Sequence, residues 1–194
     1  MKHVLAVLLL AGTVAIATGN TGLPTSVQNA LTTIDTVPTK AQLDDAFTKS
    51  AQPPLQTLSA IAGDPAADVG VRLRAIHALA KYCSASPCAS SDLAHQSVLD
   101  VIVATRLATS GSQVLLLRAA IETLGPMRVS GDVAILNPLL DHPSRDIRAA
   151  TARALRDLCN PQAISPLRIR YSGETTDQVK LAISEALRIL GQCS

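Results

Sequence analysis

Leu139-Leu140-Asp141-His142-Pro143-Ser144-Arg145-Asp146-Ile147-Arg148-Ala149-Ala150-Thr151-Ala152-Arg153-Ala154-Leu155 is the stretch whose reading decides the fold. An apolar run ends on the leucine pair, and His142-Pro143-Ser144 then breaks it, because proline cannot extend a helix. Beyond the break Ile147, Ala150, Ala154, Leu155 and Leu158 fall on one stripe at helical spacing. The alanines on that stripe let a neighbouring helix approach to ~8–10 Å. The stretch therefore predicts a helix, a tight turn and a second amphipathic helix.

Working outward, the same pattern recurs three times. Val71-Arg72-Leu73-Arg74-Ala75-Ile76-His77-Ala78-Leu79 precedes it, then Leu116 to Leu124, and Val179 to Leu187 follows it. The closing leucines, Leu79, Leu124, Leu155 and Leu187, are spaced by 45, 31 and 32 residues. An apolar-periodic segment precedes each one: Pro54 to Ala62, Ser91 to Leu107, Gly131 to Leu140 and Pro161 to Ile169. Gly63-Asp64-Pro65, Ser110-Gly111-Ser112 and Ser172-Gly173 supply the remaining turns. One hairpin cannot bury its apolar stripes alone, whereas a stack can. The expected fold is all-α, a short α-solenoid of about four helical hairpins over residues 54–194. The 45-residue spacing carries an insertion, Tyr82 to Ser90, that holds Cys83, Pro87 and Cys88.

The Leu-rich first helix, the turn with Asp141, the Ile147-Arg148 pair and the Ala154-Leu155 pair resemble a bacterial HEAT repeat. Val71-Arg72 with Ala78-Leu79, and Val179-Lys180 with Ala186-Leu187, fit the same pattern. The second repeat departs from it, since Leu116-Leu117 replaces Val-Arg and Arg118 comes one place late. The resemblance covers residues 54–190. It implies that Asp64, Asp141, Arg72 and Arg148 brace successive repeats, and that the second helices line a concave face. Some HEAT-like proteins resemble lyase subunits and others act on damaged DNA, so the resemblance fixes no function.

Composition agrees with helices. Aromatics are 2% of the 194 residues, with no Trp and one Phe, so Ala, Leu, Ile and Val must build the core. Few aromatics also leave no stacking platform for single-stranded nucleic acid. Seventeen Lys and Arg against fifteen Asp and Glu give a net charge of +2, with no basic stripe, so no nucleic-acid partner is expected. Lys2 and His3 precede an apolar run from Val4 to Ala17, and Ala15-Ile16-Ala17 forms a cleavage site. Residues 1–17 are expected to be a signal peptide, with the mature chain starting near Thr18 in the periplasm or outside the cell. The run is shorter than the ~20 residues that span a bilayer, so no membrane insertion of the mature chain is expected. Residues 18–53 read as a linker with one or two short helices, Thr39 capping one of them.

Four cysteines in an exported chain point to two disulfides. Cys83 and Cys88 flank a small-residue loop. In a HEAT-like register Cys159 and Cys193 end adjacent, parallel second helices, so the expected pairs are Cys83–Cys88 and Cys159–Cys193. A four-cysteine zinc site would need Cys83 and Cys159 together, and two repeats place them on the order of 20 Å apart. His77, His95 and His142 show no metal-ligand spacing, and no nucleophile or phosphate-loop motif occurs. No cofactor and no catalytic site are expected. The second helices should instead present a stripe of His77, Glu122, Arg153, Arg156, Glu185 and Arg188, mixed in sign and suited to a protein or peptide. The functional expectation is a non-catalytic interaction or scaffolding module. A structural subunit of an envelope assembly is the alternative, and a lyase-type enzyme subunit is a more distant one.

Overall fold

The computed structural model describes residues 22–32 and 37–193. The expected signal peptide and the cleavage near Thr18 lie outside the described residues. Ten α-helices occur among the described residues, with no strand. They are α1 (Thr25–Thr32), α2 (Lys40–Ser50), α3 (Pro54–Gly63), α4 (Val69–Leu79) and α5 (Leu93–Thr105). The others are α6 (Gly111–Met127), α7 (Val133–Leu136), α8 (Arg145–Leu158), α9 (Ile164–Gly173) and α10 (Asp177–Leu190). The architecture is a HEAT-like α-solenoid. The second helices α4, α6, α8 and α10 pack each on the next, and the first helices form an outer layer against them.

Local chemistry sets the helix ends. Thr39 accepts from Gln42 N–H at 3.3 Å while Gln42 Oε1 accepts from Thr39 N–H at 2.8 Å, a reciprocal capping box that starts α2. Asp68 Oδ1 accepts from Val71 N–H at the start of α4. Gly111 opens α6 at φ +70°, a backbone angle that favours glycine.

The third hairpin departs from expectation. Gly131 to Leu140 is not one helix but a 3₁₀ turn (Ser130–Asp132), the single-turn α7 and a second 3₁₀ stretch (Asn137–Asp141). Pro138 explains the break: it has no N–H for the α ladder, and its ring crowds the carbonyl four residues back. The segment from Ser91 to Leu107 becomes helix only at Leu93, ending at Thr105. Asp92 occupies the N-cap position, and its carboxylate serves the insertion instead.

The core runs through every hairpin. Leu58, Ile76, Leu79, Leu116, Ile121, Leu124, Ile147, Leu155, Leu167 and Ile183 are fully buried. Within residues 18–53, α1 and α2 form a hairpin whose Val27, Leu31, Leu43 and Phe47 join the same core. Helices α6 and α8 approach closely at Gly125, where an added Cβ would stand 2.9 Å from Ala154 Cα.

The insertion is a docked loop. Tyr82 donates its hydroxyl to Asp44 of α2 at 2.9 Å. Cys88 N–H donates to Met127 O at the end of α6. Asp92 accepts from Ser84 Oγ and from the Ser84 and Ala89 amides. Cys83 and Cys88 stand at disulfide distance with Cα atoms 5.2 Å apart. Cys159, just past α8, and Cys193, just past α10, form the second such pair with Cα atoms 5.6 Å apart. These are the two pairings the repeat register predicts.

Candidate interaction face

The stripe residues sit on four successive second helices, and neighbouring helices bring several of them into contact. Thr123 of α6 spends its hydroxyl proton on Ala119 O at 2.7 Å, so it accepts from His77 Nδ1–H at 3.1 Å. Burial holds His77 below the ordinary histidine range. Glu122 accepts from Arg118 Nε at 2.8 Å. Arg156 bonds Asp157 at 2.7 Å and reaches Glu185 of α10 at 3.3 Å. His77, Glu122 and Lys81 meet at a shallow cavity of about 300 Å³, walled by Val37, Ala80 and Pro126. Arg153 and Arg188 make no side-chain hydrogen bond or ion pair among the described residues. Three of the six predicted residues, His77, Arg156 and Glu185, therefore join neighbouring helices, and Glu122 is paired within its own helix.

Polar clamps between repeats are the strongest electrostatic features, and the sequence reveals them only in part. Arg148, on α8, donates Nη1 to His142 O and Pro143 O, both at 2.9 Å, which seals its own turn. Its Nε and Nη2 grip Glu174 of the next repeat at 2.8 and 3.0 Å. Glu174 is fully buried and also accepts from Thr175 and Thr176 N–H and from Arg170. These donors, Arg148 first, hold its carboxyl well below the usual carboxylate range. Arg170 in turn reaches Asp141 at 3.1 Å. Arg148 and Asp141 thus bridge repeats as the HEAT resemblance implies. Arg72 does not. It donates Nε and Nη2 to Ala62 O and so closes its own hairpin. Glu174 was missed, although it stands 13 residues before Leu187, where the third repeat carries turn residue His142 before Leu155.

A second clamp joins α5 to the third repeat. His95 and Asp132 are both 2% exposed, and His95 Nε2 lies 3.0 Å from each Asp132 oxygen. The other ring nitrogen faces Ser90 O at 3.1 Å. A carbonyl only accepts, so Nδ1 carries a proton, and the Nε2–carboxylate contact needs one more between the partners. Burial raises the Asp132 carboxyl, and His95 opposes that shift. His142 is buried in its turn, where Nδ1 accepts from Ser144 N–H at 3.1 Å, and burial lowers its pKa. Nothing local in the sequence pairs His95 with a residue 37 positions away.

Metal-ligating groups converge at one place among the described residues. Cys83, Cys88 and Asp92 place their ligand atoms within 4.8 Å of one another. Paired sulfurs are spent on each other, and the carboxylate is engaged by Ser84 and Ala89, so the cluster reads as loop construction. No helix among the described residues is long and apolar enough to cross a membrane.

Stacked hairpins, a continuous second-helix layer and arginine clamps in the turns define an α-solenoid of HEAT-like repeats. Residues 103–188 match the family of HEAT repeats, a span that takes in the second helices α6 and α8 and most of α10. HEAT repeats generally mediate protein–protein interaction or scaffolding. No curated protein and no solved structure matches this chain.

Proposed function

We propose that this chain is an exported, non-catalytic protein-interaction module that works in the periplasm or outside the cell through its second-helix layer. One observation carries the reading. Four consecutive second helices stack into one layer, and Arg153 and Arg188 on it make no side-chain hydrogen bond or ion pair among the described residues. Export is supported by the apolar start and by two cysteine pairs at disulfide distance, which persist in oxidising compartments. The alternative, a structural subunit of an envelope assembly, is favoured by a different feature. The α9–α10 hairpin leaves Ile169 and Leu181 each 71% exposed, with Tyr171 nearby in sequence.

Tagged protein recovered from its native host tests both parts. The account expects a mature mass starting near Thr18 and a stoichiometric partner in the exported fraction. An intact Met1 on cytosolic protein would overturn export, and recovery as a free monomer without a partner would overturn the interaction role.

A further inference from the structure

We infer that the turn from His142 to Ser144 is an acid-sensitive latch on the joint between the third and fourth hairpins, released when the His142 ring takes up a proton. The inference does not depend on the interaction reading above. His142 is only 6% exposed. Its Nδ1 accepts from Ser144 N–H at 3.1 Å, so the neutral ring carries its proton on Nε2. Nε2 is itself buried, with no well-formed hydrogen bond among the described residues. Two carbonyls of the same turn, His142 O and Pro143 O, both accept from Arg148 Nη1 at 2.9 Å. The ring that can titrate and the acceptors that anchor the clamp therefore belong to one short turn.

A second proton must go to Nδ1, where it would meet the Ser144 N–H donor against donor, and that bond is lost. The resulting imidazolium would lie buried beside the Arg148 guanidinium, and burial and that like charge both disfavour it. From the α5–α6 turn the Ala108 backbone favours a ring proton and opposes these two effects in part. The carboxylates around the turn are already engaged. Asp141, on the preceding 3₁₀ stretch, bonds Arg170; Glu174 bonds Arg148 and Arg170; and Asp146, on the first turn of α8, lies beside Arg145. The charged ring is therefore stabilised only by moving out to water. His142 and Pro143 are turn residues, so a ring that swings out carries their carbonyls away from Arg148.

Arg148 then loses the anchor from which its Nε and Nη2 grip Glu174 at 2.8 and 3.0 Å. Glu174 keeps its charge throughout, because its donors hold its carboxyl well below the usual range, so mild acid acts on this joint through the histidine. The other end of the joint stays closed, since Cys159 and Cys193 pair just past α8 and α10. Release thus opens the starts of α8 and α10 and leaves their ends together. The folded pKa of His142 is depressed, so the latch is closed above 6.5 and opens as pH falls through the folded value. Opening coupled to one proton grows by up to about tenfold per pH unit in that window.

The test is hydrogen exchange of the full chain, both cysteine pairs intact, at about pH 7 and about pH 5, with each rate divided by its intrinsic chemical rate. Opening of the first turns of α8 and α10 should rise roughly tenfold between the two conditions, while α3 changes less than about twofold. His142→Asn keeps an acceptor for Ser144 N–H and cannot titrate, so in that variant the rise should vanish. A wild-type chain with no rise, or one that opens α3 equally, would overturn the inference. So would an equal rise in His142→Asn, which would move the effect to another group. Nuclear magnetic resonance of the unmutated chain guards against a variant that fails to fold. The His142 ring should be the Nε2–H tautomer at neutral pH and should titrate below 6.5, at the same midpoint as loss of the Arg148 Nε–H signal. A ring still neutral after that signal has gone, or an Nδ1–H tautomer, would sink the latch.

Discussion

Replacing Gly125 with alanine tests the helix stack through two opposed effects. Alanine in a helix interior is favoured over glycine by about 0.5–1 kcal/mol. Against that, the new Cβ would stand 2.9 Å from Ala154 Cα, 3.2 Å from Ala154 O and 3.2 Å from Asp157 Cβ. Carbon pairs are comfortable at ~3.5–4.0 Å, and two of these three neighbours are backbone atoms that cannot rotate away. Overpacking of this kind costs about 1–3 kcal/mol, and rigid neighbours place it in the upper half of that range. The steric effect wins, for a net loss of about 1–2 kcal/mol. In a chain of this size that lowers Tm by roughly 3–6 °C. The shift also disturbs Asp157, and with it the Arg156 bridge to Glu185. Gly63→Ala is the control, since nothing lies within 4 Å of its added Cβ; it should be neutral or stabilising by up to ~1 kcal/mol. Thermal unfolding followed by circular dichroism reads both variants. A Gly125→Ala chain as stable as Gly63→Ala would refute the close α6–α8 approach.

Other perturbations probe the clamps. Arg148→Met leaves Glu174 buried with Arg170 as its sole guanidinium, and urea unfolding should register a loss of about 3 kcal/mol, the low end for a broken buried pair. The same carboxylate gives a pH signature: its folded pKa is depressed, so its stabilisation is complete above the ordinary 4.5 and is lost as pH falls below it. Glu174→Gln should flatten that acid limb of the Tm curve. His142 acts higher on the scale. Its folded pKa is also depressed, so stability falls as pH drops below 6.5, and His142→Asn, which keeps an acceptor for Ser144 N–H, should lessen that fall. Cys193→Ser opens a closure of 34 residues, worth on the order of 3–4 kcal/mol in the loop-entropy model. Hydrogen exchange should then quicken in α9 and α10 before it does in α4 or α6.

The second helices were legible because their burial repeats every three to four residues, and the arithmetic from Leu79 to Leu187 placed all four. The Cys159–Cys193 pairing was legible for the same reason: parallel neighbouring helices end side by side, and both cysteines lie just past such ends. Pro138 carried its own signal, since a proline inside an apolar run should have split that segment. The His95–Asp132 clamp carried none, because partners 37 residues apart on different hairpins leave no periodic trace. How the stripe's charges pair was not legible. Whether Glu185 is free or bound to Arg156 depends on how side chains meet across two helices, and no spacing rule reports that.

The central claim is that the second-helix layer is the binding surface. Site-specific photo-crosslinking in the native host tests it most directly, with the crosslinking residue at position 188 on α10, position 153 on α8, or position 103 on the exposed side of α5. The account predicts one discrete adduct, shared by positions 153 and 188 and absent at 103. An adduct formed from position 103 alone would contradict it.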